Sequence, residues 1–164
     1  MVIAVGVLAF MGVVGGIILV KYSCKRDVVL DHNICDKLDE LPPIFEQAKD
    51  AIKISTDFDP GFFDDTRVMN ALGTAIAKGT RVAFLTDEEN PPQWYRDRSG
   101  IEIKQVKELK NHRMIIDDQH IRLEKPHAPN TFGENKDDIA LIFKNFPQLA
   151  RRYSQEFDES WEKS

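Results

Sequence analysis

The chain of 164 residues is poor in cysteine, with Cys24 and Cys35 alone, and neither belongs to a Cys-x-x-Cys or histidine-rich metal pattern. Reduced thiols are therefore expected, with Cys24 close enough to an apolar run for acylation. The four histidines, His32, His112, His120 and His127, lack the spacing of a zinc site on one helix, so no metal and no cofactor is expected. A basic excess is also missing. Lys and Arg number 22 against 27 Asp and Glu, giving a net charge of −5 and a pI near 5.4. Phosphate backbones attract clustered Lys and Arg, so broad nucleic-acid binding through a basic surface is excluded, although a local basic pocket is not. No internal repeat or low-complexity tract is visible.

The most concentrated absence is of charge. The first twenty residues, MVIAVGVLAFMGVVGGIILV, carry none, and Lys21, Lys25 and Arg26 follow at once. As a helix, Val2 to Val20 would rise roughly 28 Å, against a hydrocarbon core of roughly 30 Å. A cleavable secretory signal would place its basic residues before the apolar stretch. The pattern predicts a transmembrane helix over 1–21, a juxtamembrane stalk over 22–35 and one domain over 36–164. Lys and Arg favour the cytoplasmic side, so the expectation is a single-pass membrane protein with a cytoplasmic C-terminal domain. Gly12 and Gly16 form a small-xxx-small pair through which two copies would pack as a homodimer, although glycine is common in such helices.

Beyond the stalk, Leu38, Leu41, Ile44, Phe45 and Ala48 recur at helical spacing and predict a helix over Cys35–Asp50, split or started by Pro42 and Pro43. Ile52–Thr56, a turn at Asp59-Pro60-Gly61, an apolar helical stripe of Val68, Met69, Leu72, Ala75 and Ile76, and Val82–Thr86 compose a βαβ unit with parallel strands. A short helix carries Trp94 and Tyr95, and Ile101–Val106 alternates as a strand does. Arg113–Ile116 and His120–Leu123 form a hairpin through Asp117-Asp118; a loop over Lys125–Lys136, a strand over Ile139–Phe143 and a helix over Pro147–Glu162 complete the chain. Asp57, Asp59, Asp64 and Asp65 read as turn and cap residues rather than a cation site, since an EF-hand's glycine and closing glutamate are missing. Phe58, Phe62 and Phe63 read as packing.

Three strings in this order and spacing resemble the phospholipase D-like superfamily over residues 37–164. They are Ala48-Lys49 before Ile52–Ser55, ALGTAIAKGTRVAFLT from Ala71 to Thr86, and the ending IALIFKNFPQLARRYSQEFDESWEK with Phe157 and Trp161. The resemblance implies an α/β fold with a mixed sheet flanked by helices. It also implies a site built from two copies of a His-x-Lys-x4-Asp motif, in which one histidine attacks phosphorus, the other protonates the leaving oxygen, and lysines stabilise the phosphoryl charge.

This chain reads Lys110-Asn111-His112-Arg113-Met114-Ile115-Ile116-Asp117 at the corresponding place. Aligned on Asp117, Lys110 stands where the histidine belongs and His112 where the lysine belongs. Aligned on His112, Met114 and Gln119 replace the lysine and aspartate. A lysine near pKa 10.4 is poorly suited to replace imidazole as a nucleophile, which leaves His112 as the candidate. The site residues implied are His112, Lys110 and Asp117 as the catalytic group, with Arg113, Arg122 and His127 around a phosphate. Arg113 and Arg122 alternatively pair with Asp118 and Glu124. The resemblance thus implies a phosphodiester hydrolase whose single half-site is completed by dimerisation, or an inactive scaffold binding a protein or anionic ligand.

Overall fold

The computed structural model describes residues 27–31, 34–109, 111–124 and 140–164. Seven strands form one sheet in the order β1-β7-β6-β5-β2-β3-β4. The strands are β1 (Asp27–Asp31), β2 (Ala51–Ser55), β3 (Arg81–Thr86), β4 (Ile101–Gln105), β5 (Arg113–Ile116), β6 (His120–Glu124) and β7 (Ala140–Lys144). The helices are α1 (Ile34–Gln47), α2 (Pro60–Phe63), α3 (Thr66–Ala77), α4 (Gln93–Asp97) and α5 (Pro147–Lys163). β2, β3 and β4 run parallel, whereas β2–β5, β5–β6, β6–β7 and β7–β1 are antiparallel, so the sheet is mixed.

Side chains along a strand alternate between faces, and that period of two divides the core. Ile52, Ile54, Val82, Phe84, Met114, Ile116 and Ile142 face α1 and α3, where Leu41, Phe45, Val68 and Leu72 are buried against them. On the opposite face Leu85, Ile115 and Ile121 meet Ala150 and Phe157 of α5. α3 starts at Asp65, whose carboxylate accepts from the Arg67 N–H at 2.8 Å, and closes before Gly79 at φ +90°. The Asp59 carboxylate caps α2 in the same way, accepting from Gly61 N–H at 3.0 Å. Asp59 and Asp65 are therefore placed as caps, whereas Asp57 borders the cleft described below. Phe58, Phe62 and Phe63 pack with Phe84 and Tyr95 in a buried aromatic group.

Several expectations change. Pro42 and Pro43 lie inside a continuous α1 rather than splitting it. Burying Leu41 and Phe45 offsets the N–H bonds the prolines lack. Asp27–Asp31, read as part of the stalk, is an edge strand paired with β7. The membrane localisation is also corrected, because among the described residues no helix is long and apolar enough to cross a membrane. The longest, α5, has 17 residues and carries charged side chains throughout. The apolar run Val2–Val20, with Gly12, Gly16 and Cys24, lies outside the described residues, as does the loop over 125–136.

Candidate functional site

At one end of the sheet, where β2 and β6 finish and β5 begins, a cleft of about 170 Å³ opens between the strands, α1 and the α2 turn. β2 runs out into Ser55, Thr56 and Asp57. β5 enters through His112, and β6 leaves through Arg122 and Glu124. The pairing Met114↔Arg122, with the Glu124 N–H donating to His112 C=O at 3.2 Å, puts His112, Arg122 and Glu124 on the face beneath α1. α1 contributes Lys37, which is only 5 % exposed.

The charges in this cleft are largely matched internally. Arg122, buried to 1 % exposure, donates through Nη1 to Glu124 Oε2 at 2.6 Å. Lys37 Nζ stands 3.6 Å from Asp59 Oδ2 and 5.4 Å from the Phe62 ring centroid. His112 Nδ1 lies 3.8 Å from Asp57 Oδ1 and 3.9 Å from Glu124 Oε1. Burial pushes the Glu124 carboxyl up, but the charge and hydrogen bond of Arg122, with Lys37 and His112 beyond, outweigh it and hold the group below its ordinary range. Among the described residues no cluster of three or more His, Cys, Asp or Glu is placed to hold a metal ion.

The residues singled out in the sequence divide among four places. His112 and Arg122 reach the cleft. Arg113 also borders it, but its Nη1 donates to Glu156 Oε2 of α5 at 2.8 Å and its guanidinium lies over Tyr153, so its hydrogen bond goes to the other face of the sheet. Of the alternative ion pairs, Arg122–Glu124 forms, whereas Arg113 takes Glu156 instead of Asp118. Asp117 is remote from His112. It follows β5 at the far end, and the two are about 16 Å apart at roughly 3.3 Å per residue of extended chain. Its carboxylate accepts from the backbone N–H groups of Lys49 and Asp50 at 2.8 Å and of Ala51 at 3.0 Å, so it secures the entry to β2. Lys110 and His127 lie outside the described residues.

Sequence reasoning did not single out Lys37, Asp57 or Thr56 as site residues. The alternation Arg122-x-Glu124 on a strand is a signal for the central pair, because residues two apart share a face. Nothing in the local pattern of α1 marks Lys37, whose place depends on how that helix crosses the sheet.

No family model matches the chain, and no curated protein does. Solved structures do. NucT from Helicobacter pylori is 15 % identical over 84 % of this chain and 97 % of that one, with a TM-score of 0.64. Nuc from Salmonella typhimurium, a phospholipase D family member, is 17 % identical over 84 % of this chain and 95 % of that one, at 0.60. The archaeal chromatin protein TrmBL2, described as showing a novel mode of DNA binding, is 15 % identical at 0.64; the match covers 96 % of this chain but only 58 % of TrmBL2. At these identities the likeness establishes the fold, which is phospholipase D-like.

Proposed function

We propose that this chain is a binding module on a phospholipase D-like scaffold that does not turn over phosphodiesters. The observation carrying the reading is that the cleft cations are held by the chain's own carboxylates: Arg122 by Glu124 and Lys37 by Asp59, with His112 between Asp57 and Glu124. Phosphoryl transfer needs preorganised positive charge aimed at the developing oxyanion, and charge already matched by a carboxylate supplies little of it. The position two residues after His112 is Met114, a core side chain rather than a lysine.

A second reading keeps catalysis. His112 is a half-buried imidazole in a cleft, with carboxylates near enough to orient it, and such a pair is the minimal equipment of a histidine nucleophile. With one motif per chain, that reading requires a second copy or a partner to complete the site.

The two separate in one assay. The full chain, shown to be folded by circular dichroism, is incubated with a chromogenic phosphodiester alongside His112→Ala. The binding reading expects hydrolysis at background in both proteins. Turnover by the wild-type chain that is lost in the variant overturns it and establishes a working half-site.

A further inference from the structure

A buried guanidinium needs an anion, and here the chain provides one. β6 carries Arg122 and Glu124 on the same face, with the two side chains bonded at 2.6 Å and exposed by only 1 % and 7 %. From the residue that leads into β5, across the strand pair, His112 brings Nδ1 to 3.9 Å from the other carboxylate oxygen, Oε1. From α1, Lys37 lines the same cleft with its Nζ 3.6 Å from Asp59, and its charge, like those of Arg122 and His112, favours the ionised form of Glu124. An arginine and a histidine thus meet a single carboxylate, and a lysine lines the same cleft.

That set of donors is the chemistry of an oxyanion site. A guanidinium offers a planar fork to two oxygens, an ammonium offers a point charge, and an imidazole offers a titratable N–H. Carboxylate and phosphate present comparable oxygens to such groups. We infer that the Glu124 carboxylate occupies, from within the chain, the place of an external oxyanion, so that the wild-type cleft is closed to inorganic phosphate and phosphate esters. Removal of this one charge converts the cleft into a phosphate site. The inference rests on the reading of the chain as a scaffold that does not turn over phosphodiesters. Asp57 and Asp59 stand at the rim, with side chains 43 % and 44 % exposed, and their charge moderates the affinity of any second anion.

The test is Glu124→Gln in the full chain, titrated with inorganic phosphate by calorimetry beside the wild type. The substitution preserves size and removes the charge. The expected result is saturable binding at least about tenfold tighter than wild type, with the gain abolished when Lys37→Met is added. A folded variant that binds phosphate no better than wild type overturns the inference.

Burying Arg122 without its carboxylate can prevent folding, so a second measurement covers that case. A ligand that binds only the folded state raises the folded-to-unfolded ratio by a factor that grows with ligand concentration. Phosphate is therefore expected to restore the folded circular dichroism signal of the variant in a dose-dependent manner, while chloride at equal ionic strength does not. An unfolded variant that phosphate fails to restore also overturns the inference. Failure here is distinct from failure of the binding reading, which falls only if the wild-type chain hydrolyses the diester.

Discussion

Asp117 shows how a motif position and a structural task can coincide. With φ at +52° it sits in the left-handed region at the hairpin turn, and from there its carboxylate reaches three consecutive backbone N–H groups, those of the two residues before β2 and of its first residue. These donors lie in the approach to the strand and before most of its ladder, so the side chain supplies the acceptor they need. Asp117→Ala removes the acceptors and places a less tolerant residue at positive φ. It is expected to cost about 2 kcal/mol or more in urea denaturation, since hydrogen bonds to a charged group are worth roughly 1.5–3 kcal/mol. Asp117→Asn keeps one acceptor oxygen and tolerates the backbone angle, and a loss of roughly 1 kcal/mol is expected. Equal losses for the two variants would show that the carboxylate is not what holds the β2 entry.

At the scale of elements, α4 depends on one hydroxyl. Tyr95 is buried among Phe58, Phe63, Phe84 and Trp94, and its phenol donates to the Phe63 carbonyl at 2.7 Å, joining α4 to the end of α2. Burial, with the nearby Asp64 charge, pushes the phenol far above its ordinary range, so it remains a donor at any working pH. Tyr95→Phe preserves the ring packing and leaves the carbonyl unsatisfied. A loss of about 1–2 kcal/mol in thermal or urea unfolding is expected, and no measurable change would assign the element's attachment to the rings alone. How far such elements were legible in the chain depended on whether their signal was local. The βαβ unit, the β5–β6 hairpin and α5 each carry their own apolar period, so their positions could be read directly. β1 could not be read that way, because five residues become a strand only by pairing with β7, more than a hundred residues later in the chain. The site followed the same rule: the period of two aligns Arg122 with Glu124, whereas Lys37 is buried only because α1 crosses the sheet beside Asp59 and Phe62.

Across the whole molecule, the sheet joins a parallel half, β2-β3-β4, to an antiparallel half, β5-β6-β7-β1, and the cleft opens at their junction. The opposite end of that junction holds His120, and its titration couples the fold to pH. Burial lowers its pKa from 6.5; the Asp117 carboxylate restores part of that and the Lys144 charge deepens it. Its Nδ1 accepts from the Asn145 N–H at 3.4 Å, a role that protonation removes. The unfolded chain therefore binds a proton at a pH where the folded chain resists it. This contribution is complete above pH 6.5 and is lost as the pH falls through the lower folded value. Glu124, also lowered, has its contribution intact above the ordinary value of 4.5 and loses it below, so its loss begins at a lower pH than that of His120. Urea midpoints measured from about pH 7.5 down to about pH 5 are expected to fall, with a slope from this one group of no more than about 1.4 kcal/mol per pH unit. His120→Gln, which does not titrate, is expected to flatten the decline over that range while leaving the steeper loss at lower pH. A variant that keeps the wild-type slope would place the proton on another group and remove His120 from the account of acid sensitivity.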